Sequence, residues 1–221
     1  MPKKSTDKSS EQTRQRLLDA GLVLFGEQGF DGVSTRALAK AAGVNQAAIL
    51  YHFQSKEGLY LAVADAIVAS VRPGLAPVLV DVRRRLDEQR VDAAQARVDI
   101  EAILLGLLRE VLVRAADQQQ CGIGSFMLRE QLHPSPAFDI LYRELLEPLH
   151  FTLSRLVALV RASDASEAGI IIEVQALLGQ VIIFAAHRAT LLRRLGRATL
   201  DADGMNAITD FMRTSLRRQF P

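Results

Sequence analysis

The chain is poor in the residues that staple or pleat a fold. A single cysteine, Cys121, leaves no internal disulfide framework. A reducing, cytoplasmic setting is expected. Strand signals are nearly absent, with no Asn-Gly or Asp-Gly hairpin between alternating apolar runs. The opening MPKKSTDKSSEQTRQR has no apolar run, so no secretory signal is expected there. No Gly-rich phosphate loop or nucleophile elbow occurs. Cys121, His133, His150 and His187 lie far apart without metal-ligand spacing, and the i, i+3 pair Glu130 and His133 stands alone. These absences argue against an enzyme, a metal site and a bound cofactor. Lysine is missing beyond residue 56: Lys3, Lys4, Lys8, Lys40 and Lys56 are all five, and every later Lys/Arg position is arginine.

What is present is a helical composition. The 221 residues are long enough to bury a core, and 49% are hydrophobic against 24% charged. Leu, Ala, Arg, Glu and Gln dominate, which predicts an all-α fold. The net charge of +2 identifies no partner by itself. Up to Arg16, five basic residues stand against Asp7 and Glu11. This stretch reads either as an arm tracking phosphates or as a solubilising tail.

The pattern predicts a flexible basic arm over 1–12, a helical head over 13–72 and a helical body over 73–221. Helix 1 is expected over 11–28, ended by Gly29. Helix 2 follows the N-cap Ser34 and ends at Gly43; helix 3 runs from Asn45 to Phe53. Helix 4 follows Ser55 and ends at Pro73 and Gly74, which mark the boundary to the body. Body helices are expected over 77–88, 92–116, 135–161 with a kink at Pro148, 165–195 and 203–218, with a loop or short helix over 118–133.

The stretch Ser34–Lys56 carries the chemistry. A helix-turn-helix needs small side chains where its helices cross, and Ala39 is placed there. Gly43 supplies a left-handed turn residue. Leu38, Ala42, Val44 and Ile49 pack the inner side. Asn45, Gln46, Ala47 and Leu50 then face outward, where the start of the second helix meets base edges in a major groove. Gln46 can pair with adenine, and Ala47 can touch a thymine methyl. Thr35 and Arg36 reach phosphate or a base edge; Tyr51, His52 and Lys56 suit phosphates. For Tyr51 two roles stand open, ring packing in the core and DNA contact, and they can coexist.

The segment 13–60 resembles the DNA-binding domain of the TetR family of transcriptional regulators. The carrying residues are Ala20, Phe25, Gly29, Phe30, Ser34, Thr35, Ala39, Ala42, Gly43, Val44, Tyr51, His52, Phe53, Lys56 and Leu59. One departure is Leu50, where the family often has tyrosine. The resemblance implies a homodimeric repressor of double-stranded operator DNA, released by a small-molecule effector bound in the C-terminal body. A second stretch, REQLHPSPAFDILYRELLEPLH over 129–150, is similar to the C-terminal domain of the branch that includes the cefoperazone and chloramphenicol sensitivity regulator. That suggests control of drug-efflux or transport genes.

In the body, thirteen of the seventeen residues over 170–186 are apolar and surround the helix, so more than one side must be covered. A second copy covers the outer side in this reading, with Leu177, Val181, Phe184, Ile208, Phe211 and Met212 as interface residues. The rival readings are an internal core helix and a membrane span; Glu173, Gln175 and Gln180 interrupt the run, and no membrane partner is expected. Phe126, Met127, Phe138, Tyr142, Phe151, Phe184 and His187 are the candidate ligand residues, combining bulk with adaptable or polar ends. A DNA-binding dimer without effector control, or an activator, remains an alternative.

Overall fold

A computed structural model describes residues 4–117 and 121–221, apart from the side chains of residues 4–8 and 121. Among these residues there are eleven α-helices, one π turn and no strand. The chain forms two compact units. One holds Met1–Ser70 and Gln119–Tyr142, the other Val71–Gln118 and Arg143–Pro221. The segment after Gln118, read from sequence as part of the body, thus belongs to the first unit.

In the first unit, α1 (Lys4–Gly32) buries Leu17, Leu18 and Phe25 along one face. The arm expected over 1–12 is helical from Lys4; residues 1–3 lie outside the described residues. Extending an existing helix adds a hydrogen bond per residue without a new nucleus, which favours this. At Gly29 the backbone leaves helical geometry, with φ 76° and ψ 175°, so the long helix ends there as expected and a short further turn runs to Gly32. Next come α2 (Thr35–Ala42), α3 (Ala47–Phe53), the first part of α4 (Lys56–Asp87), α6 (Cys121–Leu132) and α7 (Pro136–Leu141).

Helices α1 and α6 cross through glycine. A Cβ at Gly122 would stand 3.0 Å from Leu22 Cγ and 3.2 Å from the Leu22 carbonyl, and a Cβ at Gly26 3.1 Å from the Gly122 carbonyl. Arg129 then donates to the Glu27 carbonyl at 2.9 Å. Beneath the crossing, Tyr60 meets Phe25 edge-on at 4.8 Å and Phe126 at 4.9 Å. Its hydroxyl donates to the buried Glu130 carboxylate, which also accepts from Ser135 N and Oγ at 3.1 and 2.9 Å. Burial, with the Glu130 carboxylate alongside, pushes the Tyr60 phenol well above its usual range.

The second unit packs the rest of α4, α5 (Ala93–Ala116), α8 (Glu147–Arg161), α9 (Ala168–Ala186) and α11 (Ala202–Gln219) around one core. Ile100, Leu104 and Leu108 of α5 lie at its centre, with Leu153 and Leu156 from α8, Val174 and Leu177 from α9, and Met212 and Leu216 from α11. The buried Asp99 is held by two Arg85 N–H groups, both at 2.9 Å. The short α10 (Arg188–Leu195) has no buried residue.

Three further boundaries differ from the expectation. Helix α4 continues through Pro73 and Pro77 to Asp87 as one element. An interior proline costs about 3 kcal/mol, and the burial of Leu75, Leu79, Val82 and Leu86 offsets it at about 1.5–3 kcal/mol per side chain. The helix expected over 135–161 is interrupted by a π turn, Tyr142–Leu146, just before Pro148 in the first turn of α8. Pro148 has no N–H to offer the preceding turn, and the wider turn accommodates that loss. The helix expected over 165–195 breaks at His187 into α9 and α10.

Candidate nucleic-acid interface

Between Gly32 and Lys56 the chain carries no acidic residue. Helix α2 starts because the Ser34 hydroxyl accepts from Ala37 N at 3.1 Å. It stops at Gly43, whose φ of 62° and ψ of 40° are left-handed. Val44 N then bonds back to the Ala39 carbonyl at 3.0 Å, closing the turn. Leu38, Ala39 and Ala42 of α2 and Ile49 and Phe53 of α3 are buried. Asn45 serves the start of α3 by accepting from Ala47 N at 2.9 Å.

The outer side of this pair is open. Leu50 is 65% exposed and Tyr51 79% exposed, so the Tyr51 ring lies outside the core. Its ring meets the half-buried His52 edge-on at 4.9 Å. Arg36, Asn45, Gln46 and Ala47 are exposed, and Thr35 is half-buried. Gln46 Nε2 donates to Thr35 Oγ1 at 2.7 Å, tying the start of α3 to the start of α2. Thr35, Gln46, Ala47, Ile49, Leu50 and Lys56 line a shallow depression. Of the nine residues expected to meet DNA, Thr35, Gln46, Ala47, Leu50 and Lys56 thus line one depression, while Arg36 lies on α2, Asn45 in the turn, and Tyr51 and His52 on α3.

Lys56 has a further role that spacing did not reveal. Its ammonium donates to the Phe30 and Val33 carbonyls at 2.8 and 3.0 Å and sits 4.1 Å from the centre of the Phe30 ring. It clips the end of α1 to the start of α4 and keeps one N–H for another acceptor. Beside it, the Ser55 hydroxyl accepts from Gly58 N at 2.9 Å, and a Cβ at Gly58 would stand 2.0 Å from the Phe53 carbonyl. No local rule links residues 30, 33 and 56, so this clip was invisible in sequence.

The ligand candidates are dispersed. Phe126 is fully buried under Tyr60 and is a core residue. Met127 is half-buried in the same helix, and Phe138 and Tyr142 stack at 5.9 Å. In the second unit, Phe151 is 51% exposed, with Arg83 and Arg155 at 5.5 and 5.7 Å from its ring centre. His187 is exposed at the end of α9, while Phe184 is half-buried against the core.

The interface candidates divide as well. Leu177, Val181, Ile208 and Met212 are buried in their own chain's core, which corrects their assignment to an outer face. Apolarity all round the helix could not tell its two sides apart. The side of α9 left open carries Ile172, Ala176, Gly179 and Ile183; on α11, Phe211 is 63% exposed. Helices α4 and α9 are long and apolar enough to cross a bilayer. Both nevertheless place leucines and valines in the core of the second unit.

Comparison with known proteins agrees with this geometry. Residues 17–63 match the model for bacterial regulatory proteins of the tetR family. Residues 100–220 match the C-terminal domain of the HTH-type transcriptional dual regulator CecR. The dual regulator CecR of Shigella flexneri is 32% identical over 193 residues, covering 87% of this chain and 84% of its own. A TetR-like transcriptional regulator from Rhodococcus sp. RHA1 shares the fold at a TM-score of 0.61 and 19% identity, over 94% of both chains. The TetR family regulator PfmR of Thermus thermophilus does so at 0.59 and 17%, over 92% of this chain and 95% of its own. An open helix-turn-helix face without acidic residues, on a chain with these relatives, has one interpretation: the protein is a DNA-binding transcriptional regulator and belongs to the TetR family, with a CecR-type C-terminal domain.

Proposed function

We propose that the protein is a cytoplasmic homodimer that binds a two-fold operator and represses drug-efflux or transport genes until a small molecule releases it. The observation that carries the DNA-reading role is the open start of α3. Gln46 and Ala47 are exposed there, Arg36 flanks them, and Tyr51 stands outside the core. In this reading Gln46 and Ala47 meet base edges, and Arg36, Tyr51 and the third N–H of Lys56 meet phosphates. Leu50 adds an apolar contact, suited to a thymine methyl, where a tyrosine hydroxyl is common in the family.

Homodimerisation has a surface suited to it. Ile172, Ala176, Gly179 and Ile183 recur at helical spacing on the open side of α9. A Cβ at Gly179 would meet nothing within 4 Å, so a second helix can approach closely there. Two such helices with their α11 neighbours make an isologous four-helix contact. An activating as well as a repressing role is the second reading, favoured by the relative's name, a dual regulator.

The test is operator binding. Duplexes recovered by the protein from a randomised library should contain a palindrome with half-sites about 34–36 Å apart or a multiple of that. Gln46→Ala should weaken binding to that palindrome roughly tenfold more than to a scrambled duplex, measured by fluorescence anisotropy. Equal losses on both would remove Gln46 from base reading. Titrating apolar drugs into the complex, with release as the readout, tests effector control.

A further inference from the structure

We propose that Thr35 is a specificity-determining residue that acts through Gln46, by fixing the carboxamide in the orientation that prefers adenine to guanine. The proposal rests on Gln46 as a base reader, as set out above. A glutamine side chain on a surface turns about three bonds and can exchange its donor and acceptor ends. Here one arrangement is held, with Thr35 as the acceptor. Gln46 Nε2 donates to Thr35 Oγ1 at 2.7 Å, and the carboxamide makes no other hydrogen bond among the described residues.

The anchor is itself held. Thr35 is the first residue of α2, directly after the Ser34 cap, and its β-branched side chain has few rotamers. The hydroxyl that accepts from Gln46 therefore moves less than a long polar side chain would. Gln46 in turn stands where α3 begins, and its carbonyl accepts from Ile49 N at 3.1 Å.

The chemistry of the free edge follows. Nε2 carries two hydrogens, and Thr35 takes one. What is left for a base is one N–H beside one carbonyl oxygen. Adenine presents an N6 amino donor beside the N7 acceptor, so the remaining edge pairs with it in both places. Guanine presents O6 and N7, two acceptors. A free glutamine can turn its amide nitrogen toward them, whereas the anchored one sets its own oxygen against O6. While Thr35 accepts from Nε2, as it does here, the guanine arrangement is disfavoured and the adenine one favoured.

The experiment uses the full-length protein and a duplex recovered from a randomised library of about 30 base pairs. The position whose preference Gln46→Ala abolishes is identified, and the affinity ratio for adenine over guanine is measured there. A good bidentate pair gives the wild type a ratio of roughly ten- to a hundredfold. Thr35→Val, with folding checked by circular dichroism, should cut that ratio about tenfold, while a scrambled duplex loses about threefold at most. Thr35→Ser, which keeps the acceptor, should restore the ratio. A Thr35→Val protein that keeps the wild-type ratio, or loses affinity equally on all duplexes, overturns the proposal, as does any base other than adenine at that position. If Gln46→Ala alters no base preference, the base-reading role of Gln46 fails instead, which is a separate result.

Discussion

Lys56 shows what changes between a residue read by type and a residue seen in place. By type, a lysine at the end of a helix-turn-helix is a phosphate contact. In place, its ammonium holds two backbone carbonyls of the α1–α2 turn and covers the Phe30 ring. Hydrogen bonds from a charged donor contribute about 1.5–3 kcal/mol. Lys56→Met keeps the stem over Phe30 and removes the charge, so it should lower unfolding free energy by about 2 kcal/mol in urea titration. Affinity should fall on all duplexes alike, because the head loses rigidity. If stability is untouched and only the salt slope of binding falls, by about one, Lys56 is a phosphate contact alone. Tyr51 is the simpler case. Its type allowed both core packing and DNA contact, and its exposure of 79% leaves the ring free for DNA.

At the scale of elements, helix identity was legible, and helix limits were legible only where a local cap sets them. Ser34 and Gly43 act where their types predict, because capping is local: a side chain bonds a backbone group three residues away, or a glycine takes a left-handed turn. Pro73 and Pro77 did not end α4, because the core that buries Leu75, Leu79, Val82 and Leu86 is assembled from residues beyond the helix itself. The same holds for α9, whose apolar run is symmetric in composition and asymmetric in use. Val174, Leu177, Leu178 and Val181 face inward, and Ile172 and Ile183 face out. Ile172→Glu or Phe211→Glu should therefore give a folded monomer, seen by sedimentation velocity with unchanged helical circular dichroism. Leu177→Glu should instead unfold the chain, since it buries an unpaired charge. Dimeric Ile172→Glu and Phe211→Glu proteins would place the interface elsewhere.

Across the whole molecule, stability should depend on pH through the second unit. The half-buried His150 is held below the usual histidine value of 6.5 because burial disfavours its charged form. As pH falls through about 6.5, the unfolded chain takes up this proton and the folded chain resists it. The stability present above 6.5 is then lost as pH drops toward the lowered folded value. The melting temperature should fall between about pH 7.5 and pH 5, and fall less in His150→Gln. Identical pH profiles for the two proteins would exclude His150 as the source. The Tyr60–Glu130–Ser135 network is a second long-range feature of this scale. Tyr60 and Glu130 are 70 residues apart, and no spacing rule joins them.

Sequence alone determined the all-α class, the helix-turn-helix over α2 and α3, and the outward-facing residues of that motif. These rest on interactions within a few turns of chain: caps, helical periodicity and one left-handed glycine. The tertiary structure decided which side of α9 is open, that α4 runs through two prolines, and that α6 and α7 belong with the first unit. It also decided that Lys56 is a clip and that Thr35 holds Gln46. Each of these depends on a partner beyond the reach of local spacing rules, and burial and hydrogen bonding across that distance exist only once the helices have packed.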